Sequence, residues 1–66
     1  MKKQYTLNTL LGDVTATPEV LNTFICGNFA IAHKYEKEGY KELANMYKED
    51  ALRMFYELEK LKKEGE

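Results

Sequence analysis

Apolar residues recur along this chain in two helical registers separated by a single glycine. Leu21, Ile25, Asn28, Ala32 and Tyr35 follow alternating steps of four and three, with Phe24 and Ile31 widening the stripe on one side and Phe29 on the other. Tyr40, Ala44, Tyr47, Ala51, Met54, Leu58 and Leu61 repeat the same steps, flanked by Leu43 and Phe55. Such a period puts each set on one face of an α-helix. Sustained over about three heptads, it favours nearly antiparallel packing of the coiled-coil kind. Between the runs stands Gly39. A glycine that closes one helix in the left-handed conformation, with a second periodic run resuming at once, reverses a chain with almost no loop.

The helix ends carry matching signals. Thr17 can cap an orphan amide, Pro18 suits the first helical position, and Glu19 complements the positive end of the dipole. Lys60, Lys62 and Lys63 suit the negative pole of the second helix, and Gly65 permits its stop. The spacing therefore predicts helix 1 over 18–38 and helix 2 over 40–64. The apolar arc of helix 1 covers roughly half the circumference, wider than the ~100° needed for one neighbour, so a single partner helix would not cover it.

Residues 1–17 admit two readings. Tyr5-Thr6-Leu7 has β propensity, Gly12-Asp13 is a turn signal and Val14-Thr15-Ala16-Thr17 can return as a strand, which makes a short β-hairpin. The alternative is a helical turn through Leu7, Leu10 and Leu11 folded over the helix pair. The hairpin is favoured, and because an isolated pair of strands is marginal in water it needs a third strand or a helix face beneath it. The fold class is mainly α: a two-helix antiparallel hairpin with a short N-terminal β-hairpin or extended arm.

Composition adds an expectation of assembly. A single domain of 66 residues buries little apolar surface, and chains this short draw support from disulfides, metals or association. Cys26 is the only cysteine, which fits a reducing setting and leaves self-association as the expected support. Ten basic against eleven acidic side chains give a net charge of −1, a balance that argues against bulk binding to nucleic acid or an anionic membrane. The polar residues after Met1-Lys2-Lys3 do not form the apolar core of a signal peptide, and the weakly polar run from Thr23 to Ala32 is about half of a membrane span. A cytoplasmic protein is expected.

Few residues invite chemistry. Asn28 falls within the apolar arc of helix 1, where a buried amide commonly fixes register and oligomer state. An otherwise apolar seam offers it only another Asn or a backbone group as partner, and Asn28→Leu is then expected to raise stability while loosening assembly. Cys26 and His33 share one side of helix 1, but two turns, about 10 Å, separate them, too far to ligate one metal ion. No metal site and no cofactor are expected. Tyr35, Tyr40 and Tyr47 cluster around the reversal near Lys34, Lys37, Lys41 and Lys48, where aromatic faces and amines could hold a nucleotide-like ligand. The simpler role for these tyrosines is to fill the seam while their hydroxyls reach water. Leu52 and Tyr56, four apart and outside the main seam beside Glu49 and Arg53, form a small apolar patch suited to a partner.

The segment around the reversal resembles one tetratricopeptide repeat. Ile31, Ala32, Tyr35, Gly39, Ala44, Ala51 and Leu52 stand, in order and spacing, where that motif has Leu, Gly, Tyr, Gly, Ala, Ala and Leu. The chain departs from it at Asn28, where the motif has Trp, at Tyr56, where it has Pro, and at Tyr47, one place before the motif's Tyr. The resemblance implies a closely crossed helix–turn–helix and a role in protein binding, stacked on copies of itself or on a partner. In length and lack of motifs the chain also looks like the small accessory proteins of phages and mobile elements.

The expected function is a non-enzymatic interaction module, a small regulatory or inhibitory protein acting through self-association and through another protein. Leu52, Arg53 and Tyr56 would make the contact, and Asn28 would fix register. The alternative is an oligomeric binder of a nucleotide-like ligand between subunits, using Tyr35, Lys37, Tyr40 and Lys41. A DNA-binding regulator is disfavoured by the charge balance and the lack of a basic recognition helix.

Overall fold

The computed structural model describes residues 3–65; the basic start at Met1 and Lys2, together with Glu66, lies outside the described residues. Two strands precede two helices: β1 (Tyr5–Thr9), β2 (Gly12–Ala16), α1 (Pro18–Lys37) and α2 (Lys41–Glu64). The helices pack against each other along their seams, and the antiparallel β1–β2 pair lies on α2. The molecule is elongated, 42 × 18 × 17 Å.

α1 begins as its sequence dictates. Thr17 is the N-cap with extended backbone, its hydroxyl accepts from the Val20 amide, and Pro18 fills the first turn. The end of α1 satisfies its carbonyls through a Schellman arrangement. The Gly39 amide donates to the Glu36 carbonyl at 3.1 Å and the Tyr40 amide donates to the Tyr35 carbonyl at 2.9 Å. This geometry requires a left-handed residue, and Gly39 has φ +91°. Tyr40 caps α2 instead of lying in its seam, and it is exposed. Gly65 ends α2 with an ordinary right-handed φ of −83°, so the expected conformational role is absent. A Cβ there would lie 2.6 Å from Lys3 Nζ and 3.1 Å from the Tyr5 hydroxyl, both ends of side chains that can move aside.

The N-terminal segment forms the hairpin and not the helical turn, with its reversal two residues earlier than the Gly12-Asp13 signal places it. Leu10 and Leu11 make the turn, and Gly12 already pairs with Thr9 as the first residue of β2. Gly12 takes φ +113°, a conformation open mainly to glycine, so the glycine marks the exit from the turn. Thr9 secures the reversal: its hydroxyl donates to the Gly12 carbonyl at 2.6 Å and accepts from the Leu11 amide at 3.1 Å. Outward positions pair across the strands, Thr6 with Thr15 at 2.7 Å and Asn8 with Asp13 at 3.0 Å. The inward Leu7 enters the core.

That core is one cluster: Leu7, Leu21, Ile25, Ala51, Met54 and Leu58, with Tyr5, Val14, Ala16, Phe24, Phe29 and Leu61 packed against it. A helix face is thus what the two strands lie on. Burying a leucine fully contributes roughly 1.5–3 kcal/mol, and three leucines here are at most 1% exposed. Ala32 and Ala44, also buried, let the two backbones approach near the reversal. One position in α1 has no such account. Gly27 sits in the helix interior without a positive φ, and a Cβ added there would meet nothing within 4 Å. Glycine at such a site costs roughly 1 kcal/mol against alanine.

Candidate functional site

Asp50 gathers three hydrogen bonds on one carboxylate, and no sequence pattern singled it out. Its carboxylate is 4% exposed. Oδ2 accepts from Asn28 Nδ2 at 3.1 Å and from the Leu10 amide at 3.4 Å, while Oδ1 accepts from Arg53 Nη2 at 2.7 Å. One side chain thereby joins α1, α2 and the hairpin turn. A buried carboxylate without such donors would be costly, and among the described residues no buried side-chain polar atom lacks a partner. Asn28 is buried as its place in the seam requires. Its partner is Asp50, neither a second Asn nor a backbone group. Asp50 belongs to the stripe Leu43, Tyr47, Asp50, Met54, and a charge on an apolar stripe was the available signal.

Arg53 faces both ways. Its guanidinium holds Asp50, yet its side chain remains 56% exposed. It borders the exposed strip of α2 that includes Leu52, Phe55 and Tyr56. Tyr56 is 67% exposed and its ring meets Phe55 edge-on at 5.7 Å. Leu52 and Tyr56 therefore share an outer face, and Phe55 extends it beyond the pair read from the sequence.

The three tyrosines do meet, with Tyr40 still 58% exposed. Tyr35 stacks on Tyr47 with centroids 5.7 Å apart, and Tyr40 meets Tyr35 edge-on at 6.1 Å. The Tyr35–Tyr40 contact is the apolar touch that accompanies a Schellman reversal, so the helix junction accounts for it without a ligand. Lys37 and Lys41 are exposed. Lys41 and Lys48 border a shallow groove with Glu36, Ala44 and Asn45. On the hairpin side, Thr6, Asn8, Asp13, Arg53 and Glu57 line a polar groove of about 340 Å³, but Asn8 and Asp13 pair with each other and Arg53 pairs with Asp50. Cys26 and His33 are both exposed. Among the described residues no three His, Cys, Asp or Glu side chains gather as a metal site, and no helix is long and apolar enough to cross a membrane.

A wide apolar groove lies on α1. Leu11, Val20, Thr23, Phe24, Gly27, Asn28, Ile31 and Tyr47 line a depression of about 450 Å³. Leu11, at the tip of the hairpin turn, is 88% exposed and Val20 is 55% exposed. Comparison with family models, with curated proteins and with solved structures finds no match to this chain.

Proposed function

We propose that this protein is a non-enzymatic interaction module, a small regulatory or inhibitory protein that associates with itself and presents the outer face of α2 to a partner protein. The observation that carries this reading is the exposed strip Leu52, Phe55 and Tyr56, bordered by Arg53 and lying away from the α1–α2 seam. Large apolar side chains contiguous on a surface and rimmed by charge are the usual anatomy of a protein-binding site, with aromatic and arginine residues contributing most of the binding energy. Because Arg53 is held by Asp50, its guanidinium is ordered before any partner arrives, which lowers the entropy lost on binding.

The test is photo-crosslinking from a reactive aromatic residue installed at Tyr56 in the cells that make the protein. A discrete adduct to a different protein, abolished by Leu52→Glu, is the expected result. An adduct indifferent to Leu52→Glu, or none at all, would refute this face as the contact.

A further inference from the structure

We infer that the apolar groove of α1 is the contact surface for a second copy of this chain, and that the two α1 helices cross antiparallel about a two-fold axis between the levels of Phe24 and Gly27. This supplies the self-association in the proposed function with a surface. It rests on that part of the reading and is independent of partner binding through α2.

Three observations meet on this face. Val20, Phe24, Gly27 and Ile31 repeat at steps of four, three and four, the spacing of a helix–helix seam, yet this stripe lies beside the seam that α2 occupies. Gly27 on this stripe has neither a backbone conformation nor a close contact within the chain that calls for glycine. An approaching helix supplies the reason. The numbers are also self-complementary, because an antiparallel two-fold that sets Val20 opposite Ile31 of the second copy sets Phe24 opposite Gly27, and does so twice. The outer edge of Phe24, whose inner side packs on its own core, then lies over the gap left by the smallest residue of the stripe, which allows helix axes to approach to about 8 Å. A parallel pairing would oppose Phe24 to Phe24 and leave the glycines facing each other across a void.

Charge agrees with a second copy as the occupant. The run from Val20 to Ala32 contains no charged residue, so nothing on this face selects a charged foreign partner, and two copies meet without repulsion. In this register Glu19 in the first turn of each α1 lies within two residues of the level of Lys34 near the end of the other. Antiparallel pairing also aligns the helix dipoles favourably.

The experiment is sedimentation equilibrium of the full chain and its variants, with circular dichroism as the control for folding. The wild type should sediment as a dimer, and Gly27→Leu should weaken dimerisation by at least about thirtyfold, the loss expected of one hot spot, with helicity retained. Gly27→Ala discriminates further, since it should raise the thermal stability of the dilute monomer while weakening the dimer. Leu52→Glu with Tyr56→Glu should leave the dimer intact, so a failure of partner binding is read separately. In a Cys26→Ser background, Val20→Cys mixed with Ile31→Cys should form a disulfide that neither forms alone. A wild type that is monomeric at millimolar concentration would overturn the inference. So would a dimer that survives Gly27→Leu, one that Leu52→Glu with Tyr56→Glu dissociates, or cross-linking of either single-cysteine variant alone.

Discussion

Replacing Asp50 by alanine tests the junction that binds the three parts of the fold. The Asn28 amide, 8% exposed, would lose its acceptor, and an unsatisfied buried donor costs about 1–3 kcal/mol. The Leu10 amide would lose a long bond of 3.4 Å, a further contribution of about 0.5–1 kcal/mol at most. Arg53 is more than half exposed and regains water, so its ion pair adds only about 0–1 kcal/mol after screening. The expected loss is about 2–4 kcal/mol, a large part of the roughly 3–10 kcal/mol that holds a domain of this size. On thermal melting it corresponds to a fall of roughly 10–25 °C. Asn28→Leu alone should also destabilise, opposite to the sequence-based expectation, because it strips a donor from a buried carboxylate. Combining Asn28→Leu with Asp50→Ala removes donor and acceptor together, and should cost at least about 1 kcal/mol less than the two single losses summed. Urea denaturation of the four proteins in a double-mutant cycle gives the coupling. An Asp50→Ala variant within about 0.5 kcal/mol of the wild type, or a double mutant whose losses simply add, would refute the junction as a stabilising unit.

Two further substitutions probe the helix reversal and the inward face of the hairpin. Gly39→Ala keeps open space around its Cβ but must hold φ +91°, so a loss of about 1–2 kcal/mol is expected on chemical denaturation; a neutral result would mean that the Schellman reversal is not required. Leu7→Ala empties a site that is 1% exposed and should cost about 2–5 kcal/mol. Hydrogen exchange should show the amides of β1 and β2 losing protection before those of α1 and α2, and uniform loss across all four elements would contradict a hairpin held mainly by its inward face.

The helices were legible because their signals are local. Thr17-Pro18 opens α1, Gly39 closes it, and the steps of four and three name most of the buried residues of both seams. Tyr40 was misplaced because a residue just past a left-handed glycine continues the spacing on paper while serving as the cap in space. The turn was harder. Two leucines are poor turn formers by composition, and their place is fixed by the Thr9 hydroxyl and by a carboxylate forty residues away. Asp50 itself lies within Lys48-Glu49-Asp50, which reads as a solvated charged run, and only the apolar stripe on either side marks it as inward. The patch at Leu52 and Tyr56 was visible because both residues fall outside the seam. The α1 groove was legible in part: the apolar arc was wider than one partner helix covers, with Phe24 and Ile31 on its edge, but Gly27 carried no pattern of its own.

The hydrogen bond from the hairpin turn to Asp50 also orders events while the chain is being made. β1 and β2 leave the ribosome first, but the surface on which they lie is α2, whose Met54 and Leu58 follow Leu7 by more than forty residues. At roughly 5–20 residues per second this is a wait of several seconds, vastly longer than the ~1–10 μs in which a hairpin forms and the submicrosecond relaxation of a helix. Until then Leu7 has only Leu21 and Ile25 of α1 from its cluster to pack on, and a two-stranded pair is marginal in water by itself. The strands are therefore synthesised early and folded late, with α2 as the template on which they finally settle.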